Sequence, residues 1–359
     1  MTTSPGETTG RRSATPFRGP YADGPPAAAL EVDAPPLDTF HVRDVGRFVV
    51  VVAVLGTSVL RALAGRLVRR RSTPIVATAC DGLVDGFIRL GPTFVKAGQI
   101  LASSGALVPE PLVLAARRCL DAVPAFPGEQ ARAAVAEDLG RPVTEVFASF
   151  DDHPLSAASI GQVHACTLRD GREAVVKVQR PGIRDGMAQD LRNSYRIAWL
   201  FEQTPWGKAS GARDIIVDLH AVTFQELNPV REAWQQDRFR DRIGAFGDNT
   251  MITAPEVYWD HCGPRTICME RVRGVPMDHF DELANRGLDL QLVVRRGAKV
   301  WAEAAMLHGP FHGDMHAGNI WVLDDGRGCF LDFGIMGELD QEWRDLLQDL
   351  FYTCAFDLD

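Results

Sequence analysis

The chain has 359 residues, of which 46% are hydrophobic and 24% are charged. This length is enough for a two-lobed domain with an extension, and the composition is that of a globular protein in water. The formal net charge is −9, so nucleic acid is a poor candidate partner. The 7 cysteines are scattered without a C-x-x-C pair, which argues against a disulfide framework or a structural zinc site and indicates a reducing cytoplasm.

The first part of the chain divides into two segments of different composition. Residues 1–40 are rich in Pro, Gly, Thr and Ala, and we expect them to be disordered because they hold little that could form a core. Residues 48–60 form an uncharged run of thirteen, too short to span a bilayer as it stands. The arginines that follow are Arg61, Arg66, Arg69, Arg70 and Arg71. Such a helix can lie at an anionic membrane surface or pack as a buried helix, and the sequence leaves both interpretations open.

Periodicity predicts a helical region followed by a mixed one. Apolar residues recur at helical spacing from Thr73 to about Asp151. Two strands follow, Ser159–Leu168 and Glu173–Gln179, joined by the tight-turn signal Asp170-Gly171. Further along, the pattern predicts helices at 185–204, 213–243 and 290–307, and strands at 256–259, 266–270, 319–323 and 329–332.

The most informative motif lies near the C-terminal end of the chain. His312-Gly313-Asp314-Met315-His316-Ala317-Gly318-Asn319 is followed thirteen residues later by Asp332-Phe333-Gly334. Kinase-fold enzymes place an Asp, an Asn five residues on, and Asp-Phe-Gly around a nucleotide and its metal. We therefore expect Asp314 to face the acceptor, and Asn319 and Asp332 to supply oxygen ligands to Mg²⁺.

A lysine and a small-residue loop complete the expected nucleotide site. Lys177 lies on the second strand of the hairpin, where the lysine of a kinase fold meets the α- and β-phosphates and pairs with a helix glutamate. Glu232 is the candidate partner. The loop before the hairpin contains Ala157, Ala158 and Ser159, where ordinary kinases carry glycines. Because alanine disfavours the positive-φ conformations open to glycine, we expect this loop to bind phosphates differently.

Together these motifs resemble the UbiB/AarF family of atypical kinase-like proteins, which support isoprenoid quinone biosynthesis. The resemblance runs from about Val45 to the end of the chain. Its strongest further motif is the run from Gly91 to Gln99, which carries the family's K-x-G-Q signature at Lys96-Ala97-Gly98-Gln99; segments 107–109 and 123–127 also fit. The resemblance implies that this helix folds over the active site, with Lys96 and Gln99 in the nucleotide cleft.

One family signature is changed in this chain. The family's E-x-D motif is represented by Glu226-Leu227-Asn228, so Glu226 matches and joins the expected nucleotide-site residues, while Asn228 replaces the aspartate. Loss of this carboxylate would weaken metal coordination or coupling to Lys96. Because Asn followed by Pro229 is also typical of a helix N-cap and first position, we expect the helix bearing Glu232 to start afresh here.

The expected fold class is α+β, a protein-kinase-like two-lobed fold with a helical N-terminal extension. Only 25 residues follow Gly334, so we expect an incomplete C-terminal lobe and favour a fragment over an unusually small lobe. The expected segments are a disordered tail at 1–40, an apolar and basic helix at 41–72, a helical extension at 73–150, an N-terminal lobe at 151–270 and a partial C-terminal lobe at 271–359.

The resemblance implies a Mg²⁺-dependent, ATP-binding atypical kinase or ATPase that acts in quinone or membrane-lipid metabolism. Its expected cofactors are ATP or ADP and Mg²⁺. Its expected partners are a quinone precursor or lipid and an anionic membrane surface, at the inner face of the cell membrane. Two alternatives stay open: a conventional Ser/Thr protein kinase, against which the alanine loop argues, and a non-catalytic nucleotide-binding scaffold for membrane-bound partners.

Overall fold

The computed structural model describes residues 17–69, 72–103, 109–120, 124–205, 207–208 and 211–356. The helices are α1 Ala27–Leu30, α2 Val42–Val68, α3 Ile75–Leu90, α4 Pro92–Ser103, α5 Glu110–Ala116, α6 Gly128–Leu139, α7 Val143–Val146, α8 Ile183–Glu202, α9 Ala212–Glu226, α10 Pro229–Ala245, α11 Phe280–Asn285, α12 Leu290–Glu303 and α13 Gln341–Phe356. The strands are β1 Phe147–Ala157, β2 Gly161–Leu168, β3 Glu173–Gln179, β4 Ile252–Thr253, β5 Thr266–Glu270, β6 Gly274–Pro276, β7 Phe311–His312, β8 Ile320–Leu323, β9 Gly328–Phe330 and β10 Met336–Gly337.

The apolar run near the N-terminus belongs to helix α2, which is longer than the run itself but shorter than the helix predicted at 41–72. Helix α2 has 27 residues, and by length and composition alone it is able to cross a membrane. Only 11% of its most apolar stretch is buried in the protein. Its buried positions are Asp44, Val51 and Ser58, one narrow stripe at seven-residue spacing. A fully buried core helix is therefore the wrong interpretation, and contact with a membrane stays a prediction.

Helix α2 is packed closely against α3 through two glycines. A Cβ atom added at Gly82 would lie 2.8 Å from the Cβ of Ala62, and one added at Gly86 would lie 2.8 Å from Cδ2 of Leu55. Real side-chain contacts are not that short, so any larger residue would push the two helices apart. The pair of glycines one turn apart thus sets the distance between α2 and α3.

Residues 17–40, called the N-terminal strap, are ordered, so the predicted disorder of 1–40 is wrong for this part. Tyr21 joins the apolar core of the N-terminal lobe. The carbonyl of Ala29 accepts a hydrogen bond from Nδ2 of Asn228 at 2.9 Å. Composition does not predict this order, because backbone carbonyls of the strap accept hydrogen bonds from distant side chains, and a count of apolar residues does not register these contacts. The residues before the strap lie outside the described part of the chain.

The N-terminal lobe is built on a four-stranded antiparallel sheet in the order β1-β2-β3-β5. The predicted hairpin of β2 and β3 is confirmed, with its turn at Asp170-Gly171. Strand β1 was missed, since the sequence was assigned as helical to about Asp151, whereas β1 begins at Phe147. The alternation of a strand is hidden here because β1 is an edge strand with three register shifts and a largely exposed, polar middle.

Helix α10 connects the cores of the two lobes. Its Val230 and Ala233 pack in the N-terminal core, while Phe239 and Ile243 pack in the C-terminal core. The predicted single helix at 213–243 is two helices, because Asn228 interrupts it. Oδ1 of Asn228 accepts a hydrogen bond from the backbone N–H of Arg231 at 3.0 Å, and Pro229 takes the first helical position. The expectation that the helix bearing Glu232 starts afresh is confirmed.

The C-terminal lobe contains a four-stranded sheet in the order β4-β9-β8-β6 and a small pairing of β7 with β10. Strand β4 lies before residue 270 yet pairs in parallel with β9, so the two lobes interleave along the chain rather than meeting at the predicted boundary. The predicted strand at 256–259 is only a bridge between Val257 and Met269. The predicted helix at 290–307 ends as α12 at Glu303 and continues as a π-helical turn over Ala304–His308.

Candidate functional site

A lysine and a glutamate form an ion pair where the two lobes meet. Antiparallel pairing places Lys177 of β3 opposite Val163 and Ile267. Its Nζ lies 2.5 Å from Oε1 of Glu232, and the lysine side chain is 27% exposed. Burial alone would lower the pKa of Lys177, but the carboxylates of Glu232 and Asp332 outweigh it and raise that pKa. The lysine therefore carries a positive charge at physiological pH.

The partner of this lysine lies in the first turn of α10. Glu232 is buried, and burial raises the pKa of its carboxyl group while the Lys177 ammonium opposes that rise. A buried carboxylate is expensive unless it is paired, so the ion pair stabilises the charged form of both groups. The new start of the helix at Pro229 is what brings Glu232 to the level of β3.

Asp332 follows β9 in an unusual backbone conformation. Its φ is 57°, the one positive φ of a non-glycine residue in the described part of the chain. Such conformations are sparsely populated and occur often at functional sites. The nearby Lys177 ammonium lowers the pKa of Asp332, and the backbone N–H of Gly334 donates to its Oδ1 at 3.3 Å. The carboxylate is therefore ionised, and it lies near enough to the lysine for the two charges to interact.

The loop after β7 is attached to the strand that leads to Asp332 by a buried histidine. Nε2 of His312 lies 3.1 Å from the carbonyl oxygen of Leu331, and its Nδ1 accepts from the backbone N–H of Asp314 at 3.1 Å. One neutral tautomer, with the proton on Nε2, satisfies both contacts. His312 stands first in the sequence motif without a predicted role, because its burial is not visible in the sequence.

Asp314 and Asn319 are held together within that loop. Nδ2 of Asn319 donates to the backbone oxygen of Asp314 at 3.2 Å, which leaves its amide oxygen able to bind a cation. The carboxylate of Asp314 is half exposed and lies 3.7 Å from Nε2 of His316. The structure thus places Asp314 at the surface, beside Asn319 of the same loop.

The oxygen donors fit a magnesium ion bound together with a phosphate ligand. No group of three or more His, Cys, Asp or Glu side chains among the described residues is arranged to hold a metal by itself. Mg²⁺ keeps several waters and uses one or two protein oxygens plus substrate phosphates, rather than a cage of protein ligands. Asn319 and the ionised Asp332 provide that limited donor set.

A second lysine pair lies beside the first. Lys96 of α4 donates to Oε1 of Glu226, the last residue of α9, and both side chains are largely buried. The ammonium of Lys96 also contributes to the lowered pKa of Asp332, after larger effects that include Lys177. Two lysines and three carboxylates therefore converge, and we call this group the charged cleft: Lys96, Lys177, Glu226, Glu232 and Asp332.

A small cavity borders the Glu232 side of the charged cleft. This cavity of about 10 Å³ borders Glu232, Gly334 and Gln235, which is room for about one water molecule. Oε1 of Gln235 is buried without a hydrogen-bond partner in the described part of the chain. This cavity is too small for a nucleotide, and Lys177 and Asp332 are not among the residues that line it.

Not every predicted residue is brought to the charged cleft. Nε2 of Gln99 donates to the backbone oxygen of Cys119 at 3.2 Å, within the helical extension, so its contact with nucleotide stays a prediction. Ala157 ends β1, and Ala158 and Ser159 form the turn to β2, closed by a 2.8 Å hydrogen bond from Ala158 N to the Gly161 oxygen. Their role toward phosphates also stays a prediction.

A further contact, made by Gln162, ties the helical extension to the sheet and was not predicted from the sequence. The side-chain amide of Gln162 on β2 is buried and exchanges two hydrogen bonds with the backbone of Phe126, at 3.0 and 3.1 Å. Arg180 donates to the backbone oxygen of Pro124 at 2.9 Å. The described part of the 123–127 motif is thus fastened across the strands next to Lys177; residues 107, 108 and 123 lie outside the described residues.

Known proteins resemble this chain over most of its length. A family model described as the ABC1 atypical kinase-like domain matches residues 118–359. An uncharacterised protein of Mycobacterium tuberculosis (strain H37Rv) is 38% identical over 305 residues, which cover 84% of this chain and 62% of that protein. A probable protein kinase UbiB of Azotobacter vinelandii is 37% identical over 267 residues, covering 72% of this chain and 48% of that protein.

Among solved structures, a Mycobacterium tuberculosis protein in complex with erythromycin is 31% identical, with a TM-score of 0.47, and the match covers 67% of this chain and 60% of that one. The chain spans about half the length of the curated relatives it matches, 62% of the Mycobacterium tuberculosis protein and 48% of the UbiB protein. The resemblance and the α+β kinase-like fold expected from the sequence are confirmed by the family match and these relatives. The chain belongs to the ABC1 atypical kinase-like family, with the UbiB proteins among its relatives.

Proposed function

We propose that the chain binds ATP or ADP with Mg²⁺ at the charged cleft and acts as an atypical phosphotransferase or ATPase. The observation that carries the proposal is the 2.5 Å pair between Lys177 and Glu232, with the ionised Asp332 beside the same lysine. A buried lysine held by a glutamate and faced by an Asp-Phe-Gly aspartate is the arrangement that kinase-fold enzymes use for nucleotide phosphates.

Each residue then has a defined role. Lys177 binds the α- and β-phosphates and Glu232 holds it in position. Asn319 and Asp332 are the candidate Mg²⁺ ligands; the ion, when bound, neutralises charge on the phosphates. Asp314 orients the attacking hydroxyl group or water from its exposed position on the loop.

The wider role follows from the family. The resemblance to the UbiB proteins supports action in isoprenoid quinone biosynthesis or membrane-lipid metabolism, with a quinone precursor or lipid as the acceptor. The exposed apolar surface of α2 supports work at the cytoplasmic face of an anionic membrane. A non-catalytic nucleotide-binding scaffold is the second candidate, favoured by Asn228 at the position of the aspartate in the E-x-D motif.

Nucleotide binding by the whole chain tests the first step. We expect Lys177→Ala combined with Asp332→Asn to abolish Mg²⁺-dependent ATP binding measured by calorimetry. The matched control is Lys299→Ala combined with Asp325→Asn, which makes the same charge changes at exposed ion pairs of the C-terminal lobe. Unchanged binding in the first double variant would sink the proposal.

Turnover separates the enzyme from the scaffold. ATP hydrolysis is measured with and without anionic liposomes that contain a quinone-like lipid. Turnover that is lost in Asp314→Asn, and kept in Asp278→Asn at another exposed position, supports the enzyme. Bound ATP without turnover under all of these conditions supports the scaffold.

A further inference from the structure

A second charged site lies on the helical extension, separate from the charged cleft. Helices α2 and α3 and the turn that follows α5 enclose a groove of about 410 Å³. Its charged lining residues are Arg61, Arg89, Arg118 and Asp85. Three positive charges and one negative charge give the groove a net charge of +2, whereas the whole chain carries −9. The groove is therefore a local positive site on an acidic protein.

The guanidinium groups keep donors for a ligand. Nη1 of Arg89 donates to Oγ of Ser58 at 2.9 Å, and Nη2 of Arg118 donates to Oδ1 of Asp85 at 2.5 Å. A guanidinium has five N–H donors, so each of these contacts uses only part of its capacity. Arg61 is exposed, and no hydrogen bond or ion pair links its side chain to any residue that the structure describes. A single aspartate does not neutralise three arginines.

The walls of the groove are set by helix packing rather than by loops. Gly82 and Gly86 hold α3 close to α2, and Arg89 follows Gly86 by less than one turn on the same helix. Ser58, which accepts from Arg89, is itself one of the buried residues of α2. Rigid elements place charged groups more consistently than flexible segments do, so the ligand meets arginines that are already positioned.

We propose that this groove binds a phosphate group. The planar fork of arginine matches phosphate oxygens with paired hydrogen bonds, and several arginines around one anion are typical of phosphate recognition. The phosphate group could belong to a lipid headgroup or to a free phosphate ion, and the arginines would bind both in the same way. Arg61 directly follows Leu60, whose side chain is 66% exposed on the apolar surface of α2. A lipid headgroup with its chains along α2 and a free phosphate ion both satisfy the groove.

The test compares Arg61, which lines the groove, with Arg69, which lies at the C-cap of the same helix and outside the groove. Arg61→Gln removes a groove charge without breaking a described contact, and Arg69→Gln makes the same change at the C-cap of α2, outside the groove lining. Binding of inorganic phosphate is measured by calorimetry. Sedimentation with phosphatidylglycerol-containing vesicles, against phosphatidylcholine vesicles, tests the lipid source. Circular dichroism confirms that both variants are folded.

We expect Arg61→Gln to weaken binding about tenfold, the effect of a lost charged hydrogen bond, with little change in Arg69→Gln. If the loss is seen with inorganic phosphate, the groove takes a free phosphate ion. If it is seen only with phosphatidylglycerol vesicles, the groove takes a lipid headgroup. Equal effects of the two substitutions in both assays, or no binding in either, would overturn the proposal. ATP binding at the charged cleft is measured in parallel and should stay unchanged.

Discussion

Two groups of buried and half-buried ion pairs in the described part of the chain differ in geometry. One joins α2 to α8: Asp44 is paired by Arg192 and Asp190 by Arg47, each through two hydrogen bonds from one guanidinium. The other is the charged cleft, where each lysine contacts its carboxylate through a single nitrogen. We call the first group the α2 anchor.

The difference separates a structural role from a functional one. In the α2 anchor both aspartates are almost fully buried and paired by planar guanidinium forks, which fix the position of one helix on another. In the charged cleft three carboxylates face two lysines, so one negative charge is left for a cation. Lysine is a point charge that exchanges partners readily. The α2 anchor is suited to hold two helices in a fixed position. The charged cleft is suited to exchange its ion-pair contacts for contacts with a nucleotide and its metal.

The largest expected effect comes from breaking the α2 anchor. Asp44→Ala leaves the buried Arg192 without its carboxylate, and removing one partner of a buried pair costs about 3–5 kcal/mol. We expect that loss in the free energy of unfolding measured with urea. The control is Asp23→Ala, whose partner Arg18 is exposed, with an expected loss of less than about 1 kcal/mol. Equal losses in the two variants would contradict the distinction drawn here.

The charged cleft should respond in binding more than in stability. Lys177→Ala removes the phosphate-binding charge, and we expect nucleotide affinity to fall about 100-fold, equivalent to about 3 kcal/mol. Calorimetry with ATP and Mg²⁺ measures the change. Lys299→Ala, which removes a lysine from an exposed pair, should leave affinity unaltered. An unchanged affinity in Lys177→Ala would assign this lysine to structure alone.

Acid should weaken the α2 anchor within a defined pH range. Hydrogen bonds from Arg192, helped by the backbone N–H of His41 and opposed by burial, lower the pKa of Asp44 from 3.8 to about 2. The stabilisation is complete above the pKa of the unfolded state and is lost as pH falls from about 4 to 2. We expect about 2 kcal/mol more loss of unfolding free energy over that range in the native protein than in Asp44→Asn. Parallel curves for the two proteins would contradict this assignment.

The smallest expected effect concerns the residue that replaces the family aspartate. Nδ2 of Asn228 donates to the carbonyls of Ala29 and Glu31 in the N-terminal strap, at 2.9 and 3.1 Å. A carboxylate accepts hydrogen bonds and cannot donate them, so Asn228→Asp keeps the helix cap but loses both contacts. We expect a loss of about 1–2 kcal/mol in unfolding free energy.

A second variant separates the cap of α10 from the strap contacts. Asn228→Ala loses both functions and should be less stable than Asn228→Asp by about 1 kcal/mol. Proteolysis of the strap gives an independent measurement, since a released strap is cut sooner. If Asn228→Asp is as stable as the native protein, the strap is held by its other contacts.

Local patterns predicted the parts of the fold that depend on neighbouring residues. The hairpin turn at Asp170-Gly171 and the start of α10 at Pro229 follow from turn and cap chemistry, which acts over a few residues. Strand β1 was missed because its partner residues lie on β2 and its own pattern is irregular. The order of the N-terminal strap was missed for the same reason: its hydrogen-bond donors are distant in the chain.

The sequence by itself determined the family and the candidate residues Lys177, Asp314, Asn319 and Asp332, because motif spacing is carried by short stretches of chain. Only the tertiary structure decided which charges meet. Glu232 reaches Lys177 across 55 positions, Lys96 reaches Glu226 across 130, and Arg192 reaches Asp44 across 148. Ion pairs depend on distance and burial, and those are set when the helices and sheets pack.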